Sequence, residues 1–142
     1  MVRLAIYASG LLLVVLVLAI SCDGDNGDGA GYPDKVQLTD DDNGTTLKLA
    51  LDGELIVALA SNITTGFSWS VGEQTGAQLE LQGEPRYVPP SSTTPVVGAA
   101  GTQVFTFGAK STGTAKLVLE YKRPFEPGVA PDKTYTVTVE IR

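Results

Sequence analysis

Between Thr134 and Ile141 the chain places Tyr135, Val137, Val139 and Ile141 on one side of an extended backbone and Thr134, Thr136, Thr138 and Glu140 on the other. This two-residue period belongs to a strand with one buried and one wet face, and a helix cannot satisfy it. The alternation recurs upstream, with Leu117, Leu119 and Tyr121 against Lys116, Val118 and Glu120, and with Phe105 and Phe107 against Val104 and Thr106. Beyond an apolar run at the N-terminus, no segment shows a convincing 3.6-residue period. From about Val36 onward, short alternating segments are punctuated by glycine, proline and asparagine, so the domain is expected to be all-β, a sandwich or a barrel.

Turn chemistry refines this expectation. Asn43-Gly44 and Asp52-Gly53 tolerate the positive φ of tight primed turns, and they predict two hairpins joining three consecutive strands. The second would link Leu47, Leu49 and Leu51 to Leu55, Val57 and Leu59, with Lys48 and Glu54 on or near the wet face. Three connections exceed what a turn needs: Ser61 to Gly66, Pro85 to Gly101 and Lys122 to Lys133. The middle one contains Pro89-Pro90, Ser91-Ser92, Thr93-Thr94 and Pro95, a composition that resists regular structure. Loops on a rigid sandwich are where binding usually sits.

The 142 residues, 43% of them hydrophobic, suffice for one core, which we place at residues 36–142. Ahead of it, Arg3 and the run Leu11-Leu12-Leu13-Val14-Val15-Leu16-Val17-Leu18 read as a secretory signal over residues 1–21. The run ends at Ala19-Ile20-Ser21-Cys22, which resembles the lipobox of bacterial lipoproteins and would leave Cys22 diacylated. An ordinary cleaved signal and an uncleaved anchor helix are the alternatives. All three place the domain outside the cytoplasm, and lipidation would make it a membrane-anchored lipoprotein, periplasmic or on the cell surface. Residues 22–35 form a flexible tether, since Asp23 to Gly31 carries no apolar side chain larger than alanine. A single cysteine forms no internal disulfide, so the domain, read as a monomer, rests on its core.

Composition excludes several functions. The net charge is -6; removing residues 1–21 deletes one cation, Arg3, and no acid, leaving -7. Such a domain is not built for nucleic acid, whose binding depends on Lys and Arg. Without histidine there is no Ser-His-Asp or Cys-His site and no Cys/His zinc cluster. The sixteen acidic residues present no glycosidase pair. The clusters Asp23 to Asp28 and Asp40 to Gly44 do not fit an EF-hand loop, because the glycine comes one place too early and the terminal glutamate is missing. The chain is expected to be no enzyme and to need no cofactor or metal.

The informative segment is Asn62-Ile63-Thr64-Thr65-Gly66-Phe67-Ser68-Trp69. Gly66 allows a sharp turn, Thr64 and Thr65 form its tip, Asn62 can bond the turn's backbone, and Phe67 and Trp69 fall on one face of the next strand. Trp69, the chain's one tryptophan, is expected in the core. This segment resembles the loop Asn-Pro-Thr-Thr-Gly-Tyr/Phe-x-Trp of the chagasin family of cysteine-protease inhibitors. Gly98-Ala99-Ala100-Gly101 and Arg123-Pro124-Phe125 stand, in the family's order, where it carries a Gly-x-Gly-Gly loop and an Arg-Pro-Trp loop. The resemblance spans roughly residues 36 to 142.

The resemblance implies an immunoglobulin-like antiparallel β-sandwich that inhibits papain-like cysteine proteases, reversibly and tightly, by inserting three loops into the active-site cleft. It implies protease contacts from Asn62, Thr64, Thr65, Gly66 and Phe67, from Gly98, Ala99, Ala100 and Gly101, and from Arg123, Pro124 and Phe125. Ile63 replaces the family proline, Ala100 a glycine and Phe125 the tryptophan, which predicts reduced or shifted affinity. Ala100 matters if its position needs positive φ. The alternative is an Ig-like extracytoplasmic binding or adhesion module without inhibitory activity. Convergence of the three segments at one end of the sandwich favours the inhibitor, and scatter favours the module.

Overall fold

A computed structural model of the protein describes residues 31–91 and 98–142. The secretory segment 1–21, Cys22, the tether up to residue 30 and the Ser92 to Val97 part of the middle loop lie outside the described residues.

Among the described residues nine strands make two facing sheets: β1 Lys35–Leu38, β2 Thr46–Leu49, β3 Glu54–Ser61, β4 Ser68–Thr75, β5 Leu79–Leu81, β6 Arg86–Val88, β7 Gly101–Ala109, β8 Gly113–Lys122 and β9 Lys133–Ile141. The first sheet runs β1-β3-β7-β5, with β6 following β5 along the same edge of β7; the second runs β2-β9-β8-β4. The alternation read from sequence is what closes the sandwich. Leu55, Val57, Leu59, Phe105 and Phe107 project from one sheet, and Leu117, Leu119, Tyr121, Tyr135, Val137, Val139 and Ile141 from the other, all buried. Each such side chain contributes roughly 1.5–3 kcal/mol by leaving water. Trp69 is buried among them, as expected.

The two expected hairpins are not formed. Five strand pairs are antiparallel, but β1 lies parallel to β3 and β2 parallel to β9. Asn43-Gly44 therefore carries the chain from the first sheet to the second, and Asp52-Gly53 carries it back. The reason lies in what the turns bond. Asn43 Nδ2 donates to the Thr134 carbonyl (3.2 Å) and its Oδ1 accepts from the Thr136 N–H (2.8 Å), which docks the turn on β9. Asp52, φ 62°, donates its N–H to the Ala109 carbonyl (3.0 Å), and Leu51 donates to the Arg142 carbonyl (2.8 Å). Leu51 thus sits in a turn, 44% exposed, and does not continue the inward row of Leu47 and Leu49.

A further difference concerns the stretch Pro85 to Gly101, whose start is not loop: Arg86, Tyr87 and Val88 pair with Val104, Gln103 and Thr102.

Register sets the two ends of the molecule. Ser61 faces Gly101 and Ser68 faces Lys122, so the connections β3–β4, β6–β7 and β8–β9 emerge together. At the other end Glu54 faces Gly108 and Gly113 faces Ile141. The start of the described chain belongs there, since Pro33 and Asp34 accept the Ala50 and Glu54 N–H groups (2.9 and 2.8 Å).

Candidate functional site

The first loop is a single 3-10 turn, Ile63–Thr65, held by its own side chains. Thr65 gives both its N–H (3.2 Å) and its hydroxyl (2.6 Å) to the Asn62 carbonyl, and the Thr64 hydroxyl donates to Asn62 Oδ1 (2.6 Å). Gly66 closes the turn at φ 80°, in the left-handed region that glycine enters without steric cost. Below the turn, the Asn62 N–H donates to the Tyr121 hydroxyl (2.9 Å) from the opposite sheet. Ile63, Thr64 and Thr65 are exposed at the tip, with both threonine hydroxyls already engaged inside the loop.

The second segment touches the first. Asn62 Nδ2 donates to the Gly98 carbonyl (2.9 Å). Gly98 needs its glycine, φ 87°, whereas Ala100 does not: among the described residues Asp52 is the one non-glycine with positive φ. The exchange of glycine for Ala100 therefore carries no backbone strain. Gly98 and Ala100 are exposed, Ala99 is half-buried and Gly101 is buried as the first residue of β7.

The third segment packs on the first from the other side. The Arg123 guanidinium lies 4.5 Å above the Phe67 ring and pairs with Glu126 at 3.3 Å. Phe67 in turn stacks on Tyr121, centroids 5.3 Å apart, with Trp69 on the same ring at 5.0 Å. Phe125 is 68% exposed, and a Cβ on Gly66 would come within 3.0 Å of its ring. Gly66 is thus required twice, for its backbone and for the approach of Phe125. Pro124 is exposed beside it. Arg123, which the resemblance places among the protease contacts, is half-buried between Phe67 and Glu126.

All three segments therefore meet at one end of the sandwich. Their outermost residues, Ile63, Thr64, Thr65, Gly98, Ala100, Pro124 and Phe125, carry no charge, although the chain as a whole stands at -6. The centre of a protein interface has this character, depleted of charge and built around an aromatic anchor. Among the described residues no group of three or more acidic side chains is arranged to hold a metal.

Sequence reading missed Tyr121 as the partner of Asn62, and it missed Gln103. Gln103 Oε1 accepts the Trp69 N–H (2.9 Å) and its Nε2 donates to the Trp69 carbonyl (2.8 Å). The signal was present: Gln103 occupies the inward parity of Phe105 and Phe107, where an apolar residue is the rule.

Residues 48–139 match the profile of the chagasin family of peptidase inhibitors, I42. Amoebiasin-1 of Entamoeba histolytica is 33% identical over 107 residues, 75% of this chain and 100% of its own. Chagasin of Trypanosoma cruzi is 34% identical over 105 residues, 71% of this chain and 93% of its own. The crystal structure of a cysteine protease inhibitor from Entamoeba histolytica superposes with a TM-score of 0.67 at 24% identity, over 76% of this chain and 96% of that one, and shares the fold.

Proposed function

The chain belongs to the chagasin family of peptidase inhibitors, and from that premise we propose that it is a reversible, tight-binding inhibitor of papain-like cysteine proteases, not an enzyme, whose three loops close the active-site cleft. One observation carries the reading: Asn62 bonds Gly98 while Gly66 and Phe67 pack against Phe125 and Arg123, so three segments distant in sequence form one neutral, partly apolar edge.

A papain-like cleft holds a thiolate beside an imidazolium and cleaves extended peptides. The Thr64-Thr65 tip is bent into a turn by three hydrogen bonds to Asn62, so it fills the cleft without presenting an extended scissile bond. The nucleophile is covered and not acylated. Gly98 to Gly101 offers backbone to the cleft's edge, as an added strand would. Phe125 supplies the flat apolar contact. A pre-formed interface of about 1,600 Å² in total is compatible with tight binding.

The test is titration of papain with the purified protein. Near-stoichiometric loss of activity, recovered on dilution with the inhibitor uncleaved, is the expected result. No loss of activity with papain or with other papain-like enzymes contradicts the reading.

We also propose that the protein is a monomeric lipoprotein held outside the cytoplasm through Cys22. The Leu11 to Leu18 run and the Ala19-Ile20-Ser21-Cys22 site support this. So does the position of Gly31 to Asp34 at the end opposite the loops, which lets a tethered domain present its site outward. The mature wild-type protein is expected to begin at Cys22 with a diacylglycerol on its sulfur, read by mass spectrometry of the N-terminal peptide; a Cys22 thiol without lipid contradicts lipidation.

A further inference from the structure

Among the described residues β4 is the outer strand of its sheet, and the backbone groups on its free side have no strand to pair with. At Trp69 both groups are nonetheless satisfied. The N–H donates to Gln103 Oε1 at 2.9 Å, and the carbonyl accepts from Gln103 Nε2 at 2.8 Å. A primary amide presents one acceptor and one donor side by side, the same pair that a neighbouring strand would offer. Gln103 comes from β7 in the opposite sheet, so this bridge crosses the sandwich at its loop end.

The same amide also accepts from the Ser61 hydroxyl at 3.4 Å. Ser61 is the last residue before the first loop, and Trp69 lies just beyond its end at Phe67. One side chain therefore holds both stems of the loop. Gln103 itself begins two residues after Gly101, where the second segment joins β7. The stems are stiffened from a third side by the Trp69 indole, whose N–H donates to the Ala60 carbonyl at 2.9 Å. A polar residue at this inward position, beside the fully buried Leu59, needs a compensating partner, and an apolar residue would fill it at lower cost if packing were its only role.

We propose that Gln103 is the positioning residue of the inhibitory edge: its amide acts as a one-residue surrogate strand that fixes the Asn62 to Phe67 loop against the Gly98 to Gly101 segment. The proposal rests on the inhibitor reading. Gln103 touches no protease in this account and acts through the geometry of the loop, so its removal weakens binding by loss of pre-organisation.

Two variants and one property of the wild type test it. Gln103→Met keeps the side chain's bulk and deletes both bonds, and is expected to raise Ki for papain about tenfold or more, since it strands a backbone donor. Gln103→Glu gives the sharper readout. At about pH 7 its carboxylate offers only acceptors and opposes the Trp69 carbonyl; once protonated, its O–H replaces the amide donor. Glutamate ionises ordinarily near ~4.3; at this position the Trp69 carbonyl favours the neutral acid, while the Trp69 N–H and the Ser61 hydroxyl favour the carboxylate. Affinity is therefore present at low pH and lost as pH rises. The ratio of variant to wild-type Ki, taken against the same protease, is expected near one at about pH 4 and about tenfold or more at about pH 7.

A merely structural residue does not produce that profile. In the wild type, the Trp69 amide is expected to be protected from hydrogen exchange despite lying on an open edge. An unprotected Trp69 amide, a ratio flat with pH, or variants that inhibit like the wild type overturn the role of Gln103. Should Gln103→Met not fold, the pH ratio and the wild-type exchange decide. Absence of inhibition by the wild type itself strikes the inhibitor reading first, and the Gln103 role with it.

Discussion

Asn62 engages all four of its polar groups: its N–H to Tyr121, its carbonyl to Thr65, its Nδ2 to Gly98 and its Oδ1 to Thr64. This explains how the loop holds its turn with Ile63 where the family has proline. The remaining gain is entropic. Ile63 opens the 3-10 turn, where an N–H has no partner within the turn, and Asn62 at φ -114° and ψ 86° stays outside the helical region that a following proline disfavours. Ile63→Pro is expected to stabilise the domain by about 0.5–1 kcal/mol in urea denaturation and to lower Ki for papain. Tyr135 is the opposite case, a buried residue whose hydroxyl has no hydrogen-bond partner among the described residues. Burial first, then the charges of Asp42 and Asp40, push its ionisation well above the ordinary tyrosine range. The folded state thus holds this proton more tightly than the unfolded chain. The associated stability is intact below about pH 10 and falls as pH rises beyond it. Tyr135→Phe is expected to be neutral or stabilising by about 1 kcal/mol at neutral pH, and to flatten the alkaline loss, as read by thermal melts across pH. The roles of Thr64, Thr65 and Gly66 in a turn were legible in the sequence. Gln103 was not read, because its meaning depends on a strand from the other sheet.

Elements divide in the same way. Strands β7, β8 and β9 were legible because their inward faces are continuous rows: Phe105-Phe107, Leu117-Leu119-Tyr121 and Tyr135 to Ile141. The edge strands were not. β1 and β2 are four residues long and each buries one leucine, Leu38 or Leu49, so nothing local says which strand they pair with. Turn residues report a backbone conformation, and Asn43-Gly44 and Asp52-Gly53 do reverse the chain. The partner is chosen by distant groups, the Thr134 and Thr136 backbone for one and Ala109 and Arg142 for the other. Gly53 makes this crossing possible: a Cβ there would lie 2.7 Å from the Ala50 carbonyl and 3.0 Å from that of Asp34. Gly53→Ala is expected to cost about 2 kcal/mol or more in urea denaturation while leaving Ki unchanged below the melting transition, because it acts at the end remote from the loops.

At the scale of the molecule, the two sheets keep three loops at one end and the start of the described chain at the other. The loops are legible as motifs. Their contacts were not, since the Asn62–Gly98 bond and the Gly66–Phe125 approach join positions far apart in sequence. We propose this shared edge as the inhibitory surface, and Ki for papain with the wild type and with Thr64→Ala/Thr65→Ala/Phe125→Ala, both shown to be folded by their melting transitions, decides it. Reversible inhibition by the wild type and a loss of about a hundredfold or more in the variant are expected. A folded variant that inhibits as well as the wild type would contradict it.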